Sequence, residues 1–161
     1  MKPRKSCKCQ QGIAALEFAI LLIILLLIVG GIVEFGRAFW HLDALTKATR
    51  DGARMLSVAD RATFSTGGFI DLAKNRVVMS ANAARIDPEL SVDQVSVTCL
   101  DVSYNPSGCG SGANAPEYVR VAIEGYEITI GSMVPFLSPT GTVSIFRGIA
   151  LAPSTTMPYM K

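Results

Sequence analysis

The chain has 161 residues, of which 50% are hydrophobic and 17% charged, and its mean hydropathy is +0.38. That length fits one modest domain. Against the roughly 25% charge of soluble domains, this composition excludes a disordered chain and an ordinary cytosolic one. A formal net charge of +2 supplies no electrostatic footprint for nucleic acid, so none is expected as a partner.

Residues 1–12 are a basic leader carrying Lys2, Arg4, Lys5 and Lys8, and all 13 acidic residues lie after it. Residues 13–33 follow, apolar except for Glu17, Gly30 and Gly31. As a helix this run spans roughly 31 Å, about one hydrocarbon core. A basic flank ahead of an apolar run keeps the leader in the cytoplasm and sends residues 34–161 outside. A cleaved secretory signal is the competing reading. The run is followed by Glu34-Phe35-Gly36-Arg37 rather than by an A-x-A site, which favours a retained transmembrane helix.

The helix is expected to continue to about residue 58 as an amphipathic half. Phe35, Phe39, Leu42, Leu45, Thr49, Ala53 and Leu56 recur three and four apart. Glu34 and Arg37 sit at i,i+3, as do Asp51 and Arg54. A second helix is expected at 68–86, ended by Asp87-Pro88. Strands are expected at 94–101, at 117–130 with Gly125 marking a bulge or bend, and at 142–151. Pro135-Phe136-Leu137 before Pro139 reads as a loop or a short turn of helix. A sheet with one apolar face needs a cover, and residues 34–58 are the natural candidate. The expected fold class is α+β: a long N-terminal helix, a second helix and a small antiparallel sheet of about three strands. Residues 59–161 would form the periplasmic head.

The four cysteines divide by compartment. Cys7 and Cys9 lie in the leader, where thiols stay reduced, whereas Cys99 and Cys109 lie in the exported part on either side of the turn sequence Asn105-Pro106-Ser107-Gly108. A disulfide between Cys99 and Cys109 would contribute roughly 2–3 kcal/mol. Pairs on opposite sides of a membrane do not make a zinc site, and no metal or cofactor is expected. No catalytic constellation emerges either. His41 is the lone histidine, no G-x-S-x-G elbow occurs, and the glycines around Cys109 lack the Lys-Ser/Thr of a phosphate loop, so the chain is not expected to be an enzyme.

The junction between leader and apolar run is the most informative feature. Lys8-Cys9-Gln10-Gln11-Gly12 is followed by Ile13-Ala14-Ala15-Leu16-Glu17-Phe18. A carboxylate inside such a run is costly, about 2.5–3.5 kcal/mol at mid-bilayer and less near the edge. On one reading Glu17 snorkels to the headgroups. On the other, cleavage after Gly12 frees an α-ammonium on Ile13, and Glu17 neutralises such an ammonium on its own or a neighbouring chain.

This arrangement resembles the type IV prepilin signature. The residues that follow, Gly31-Ile32-Val33-Glu34-Phe35-Gly36-Arg37-Ala38 and Ala44-Leu45-Thr46-Lys47-Ala48-Thr49-Arg50-Asp51-Gly52-Ala53-Arg54, are similar to the TadE-like family, minor pseudopilins of the bacterial tight-adherence (Flp pilus) system. The resemblance covers about residues 11–57. Family members often carry a proline near Leu22-Ile23; this chain has none, so its helix should be straighter there. The resemblance implies a pilin-like fold and processing between Gly12 and Ile13 by a prepilin peptidase. It also implies an assembly role for Glu17 and Phe18. Glu34, Phe35, Gly36, Arg37, Arg50, Gly52 and Arg54 become candidates for contacts with the head or a partner, the bland reading being an exposed ion pair and a solvated charged face. The implied setting is the bacterial inner membrane, single-pass, with other pilus or pseudopilin subunits and the secretion platform as partners. The alternative is a membrane-tethered periplasmic binding module or enzyme that uses the helix only as an anchor.

Overall fold

The structure, a computed structural model, describes residues 9–60, 64, 68–109, 116–130 and 146–160. Helix α1 runs unbroken from Cys9 to Ser57, 49 residues or about 73 Å. Beyond it the Ala59 amide still reaches back to the Leu56 carbonyl. Helix α2 is Gly68–Ala83. After α2, both ends of the Asn82 amide bond the Leu90 backbone and close the turn.

Strands β1 (Val95–Leu100), β2 (Pro106–Ser107), β3 (Tyr118–Ile123) and β6 (Ser154–Pro158) form one antiparallel sheet in the order β2-β1-β3-β6. β4 (Tyr126–Ile130) and β5 (Phe146–Leu151) form a separate antiparallel ladder. The α+β architecture is the one expected. Six strands stand where about three were expected, for three reasons. Pro106–Ser107, expected as part of a turn, pairs with Leu100 and Cys99 as β2. Gly125 adopts φ +69, a left-handed conformation open to glycine, and this splits the expected 117–130 strand into β3 and β4. β6 was missed because Ser154-Thr155-Thr156-Met157-Pro158 has no apolar run. Its alternation is subtle, with Thr155 and Met157 half-buried and the others exposed. Residues 131–145, which include the expected Pro135–Pro139 turn and the start of the third strand, lie outside the described residues.

The register sorts the sheet into two faces. Val97 pairs with Val121, and Cys99 with Val119, on the face that looks at the helices. Thr98 pairs with Arg120, and Arg120 with Thr156, on the other. The second half of α1 covers β3 and β6, and α2 packs against α1 and β1. The core therefore joins Leu45, Ala48, Ala53 and Leu56 of α1 to Ala73, Val77 and Ala81 of α2 and to Val95, Val119, Val121 and Ile123 of the sheet. Thr49, inside this stripe, bonds the Thr155 hydroxyl at 3.0 Å. The C-terminal segment clamps the end of α1: the Met160 amide donates to the Ser57 carbonyl, and the Tyr159 hydroxyl to that of Ala59.

Candidate functional site: the stem and its joint with the head

The first half of α1 stands clear of the head. From Gly12 to Val29 every residue is exposed, and one helix of the described residues is long and apolar enough to cross a membrane. Gly12, Ile13, Glu17 and Phe18 all lie on this free stem, and Glu17 is the one charge in it.

The joint begins at Glu34. The periodicity expected Phe35, Phe39 and Leu42 to face inward with Leu45, and the structure corrects this. Phe35 and Phe39 are 65% and 68% exposed, while Glu34 is 2% and His41 4%. The inward stripe runs through Glu34, Arg37, His41, Ala44–Leu45, Ala48–Thr49 and Gly52–Ala53 to Leu56, again three and four apart. The outward residues Ile32, Phe35 and Phe39 continue the lipid-type surface of the stem instead.

β4 descends beside this stretch, antiparallel to α1. Near its lower end the Arg37 guanidinium donates to the Thr129 carbonyl at 2.6 Å, and Arg37 Nε lies 3.6 Å from Glu34 Oε2. The pair is therefore turned into the head, and the reading of it as an exposed surface pair does not hold. Higher up, the buried Tyr126 hydroxyl donates to the Pro88 carbonyl at 2.7 Å. Its oxygen lies 3.3 Å from His41 Nδ1. Because that hydroxyl has one proton and spends it on Pro88, His41 must carry its own proton on Nδ1 and donate it. Burial, and then the Arg37 charge, push the His41 pKa below 6.5, opposed in part by Asp87. Burial pushes Tyr126 up to about 12. Trp40 is exposed at the same level, its indole nitrogen bonding the Ala84 carbonyl at 3.3 Å.

The remaining sequence candidates separate clearly. A Cβ on Gly36 would meet nothing within 4 Å, whereas one on Gly52 would lie 2.4 Å from Val77 Cγ2, so α1 and α2 approach closely at Gly52. Arg50 and Arg54 are exposed, and Asp51 accepts from Ser80 of α2 at 3.3 Å. Cys99 and Cys109 are joined by a disulfide with S–S 2.03 Å. Among the described residues no three His, Cys, Asp or Glu side chains converge as metal ligands would. Sequence reasoning missed Tyr126, Pro88 and Thr129 as partners of the joint. The one signal that could have found Tyr126 is an aromatic with a polar tip at an inward strand position, which needs a partner when buried.

Residues 12–54 match the model of the TadE-like protein family. Over that stretch the helix is TadE-like. No curated protein and no solved structure matches the chain. The matched segment runs from Gly12 through the free stem and the joint to the close contact at Gly52, so it includes both what stands outside the head and what builds it. TadE-like proteins are components associated with the tight-adherence pilus and the membrane, and the family is not known as enzymatic. The single apolar N-terminal helix fits a single-pass membrane anchor.

Proposed function

We propose that this chain is a minor pseudopilin of tight-adherence pilus assembly. It is anchored in the inner membrane through residues 13–33, with the leader in the cytoplasm and the head outside, and it acts by helix packing rather than by catalysis. Prepilin peptidase cleaves it after Gly12, leaving Ile13 as the new terminus. The platform and other pilus subunits are its partners.

One observation carries this reading: Glu17, five residues beyond Gly12, is exposed on a stem that is otherwise without charge. A tether has no use for a carboxylate in lipid, where it is unfavourable. An assembling helix bundle does, because Glu17 can neutralise an α-ammonium there. Phe18, beside it, supplies apolar contact area, and Ala14, Ala15 and Ala19 let neighbouring backbones approach. Phe35, Phe39 and Trp40 fit the aromatic belt where a helix leaves the bilayer.

The test is the intact mass of the protein from cells with an active prepilin peptidase, which should correspond to a chain starting at Ile13. A terminus at Met1 would exclude processing. Glu17→Ala should insert normally yet fail to co-purify with pilus subunits; unchanged incorporation would remove the role given to Glu17 and favour the tether.

A further inference from the structure

The face of the sheet turned away from α1 carries a trough that the stem and joint do not use. It holds about 370 Å³ and is lined by Ser96, Thr98 and Leu100 of β1, by Arg120 and Glu124 at and beyond β3, and by Tyr104. The register places these side by side: Thr98 opposite Arg120, Ser96 opposite Ala122 and Leu100 opposite Tyr118. Both charges are held in position. Ser96 donates to Glu124 Oε1 at 2.9 Å, and Arg120 bonds the Ser154 hydroxyl at 3.3 Å.

One end is closed by an aromatic wall. Tyr104 stacks on Tyr118 with ring centroids 4.6 Å apart and planes 19° apart, and Tyr104 remains exposed. Its backbone sits at φ +59, a conformation that a bulky residue adopts only when its surroundings impose it. The surroundings here are specific. Asp101 Oδ1 accepts from the amides of Ser103 and Asn105, the Tyr104 amide donates to the Asp101 carbonyl, and the Cys99–Cys109 disulfide closes the hairpin base. The ring is thus set over the trough before any ligand arrives, which removes the ordering cost of binding.

From this geometry we infer that the outer sheet face is a binding site for an uncharged saccharide. The ligand class follows from the lining. A phosphate or nucleic-acid chain needs an excess of cations, and here one arginine is matched by one glutamate. A lipid or apolar helix needs a continuous greasy wall, and here Leu100, Pro106 and Ala122 are interrupted by Ser96, Thr98, Arg120 and Glu124. Serine and threonine hydroxyls, a carboxylate that accepts and a guanidinium that donates together match the donor and acceptor pattern of sugar hydroxyls. The free face of Tyr104 matches the C–H face of a pyranose ring. The trough volume falls in the usual range of small-ligand sites, and its fixed polar groups are of the kind that orient a ligand there. The site lies on the opposite side of the sheet from α1, so its occupancy is independent of how the stem is used.

The full chain in phospholipid nanodiscs, free of sugar detergents, provides the test by calorimetric titration. The probes are the neutral trisaccharides maltotriose and N,N′,N″-triacetylchitotriose, with the anionic sialyllactose and a Ser/Thr-rich peptide as contrasts. Saturable binding of a neutral trisaccharide is expected, weakened about tenfold or more by Arg120→Gln and by Thr98→Val and unchanged by Arg76→Gln on α2. Tyr104→Ala should abolish it, but that variant can unseat the hairpin, so the two others carry the decision. No binding of either neutral probe, binding indifferent to the trough substitutions, or binding of only the anionic sugar or the peptide would each overturn the assignment.

Discussion

Tyr126 has one hydroxyl proton and two neighbours, and this fixes the chemistry of the joint. Its proton goes to Pro88 and its oxygen accepts from His41; Pro88 lies at the surface, whereas His41 is buried and has little water to fall back on. Tyr126→Phe should therefore lower the stability of the head by about 1–2 kcal/mol, read from denaturant unfolding, since it leaves the buried imidazole N–H without its acceptor and removes the bond to Pro88 while keeping the ring. The same pair gives a pH response whose sign is determined. The folded state holds His41 below 6.5, so between 6.5 and that lower value the unfolded chain binds the extra proton. Stability is complete above about pH 6.5 and declines as pH falls below it. The thermal midpoint should drop between pH 7 and 5, and His41→Gln should remove that part of the drop; identical pH profiles for the two proteins would refute the assignment. At the other extreme, Tyr126, raised to about 12, makes the fold lose stability as pH rises above about 10. The Tyr126–His41–Pro88 contact was not legible in the sequence. Single residues carry no sign of what they meet: Glu34 was open between an exposed pair and a contact with the head or a partner, and nothing marked His41 as a partner of Tyr126. Phe35 and Phe39 read as core because an apolar side chain looks the same whether it faces protein or lipid.

At the scale of elements, the helices meet through Gly52. A methyl group there would overlap Val77 Cγ2, a short branched group on a packed helix that cannot swing aside. Gly52→Ala should thus destabilise by about 1–3 kcal/mol despite the better helix propensity of alanine. Adding Val77→Ala should recover part of the loss, and simple additivity of the two changes would show that the contact is not the cause. The Cys99–Cys109 bridge acts on a neighbouring element, the β1–β2 hairpin. With its ends ten positions apart, it should contribute roughly 2–3 kcal/mol, and thiol labelling of Cys99 and Cys109 in the purified head should wait for a reductant. Elements were legible in proportion to their periodicity. The helices and β1 follow apolar patterns three to four or two apart, and the turn residues between Cys99 and Cys109 mark the hairpin. β6 was hidden because an edge strand with one half-buried threonine and one methionine buries too little apolar surface to leave a pattern.

For the whole molecule, the long helix is one element with two solvents. Up to Val29 its side chains touch little but what surrounds the protein, and from Glu34 onward one face is core. The α-helical geometry is the same throughout; only what faces it changes, from the surroundings of the protein to the sheet. This makes a sharp expectation about where the chain can be divided. Shortened to begin at Gly31, it should yield a soluble head whose thermal midpoint matches that of the full chain, because no buried side chain of the core has been removed. Shortened to begin at Leu42, it loses Glu34, Arg37 and His41, leaving Thr129 and Tyr126 without their partners on α1. That shorter chain should melt several degrees lower, at about 4 °C per kcal/mol for a domain of this size, while keeping the helix-on-sheet core from Leu45 to Leu56. Circular dichroism melts of the two shortened chains decide the matter. Equal midpoints would mean that the joint contributes nothing to the head, and that Glu34, Arg37 and His41 are held there for contact with another subunit rather than for the fold.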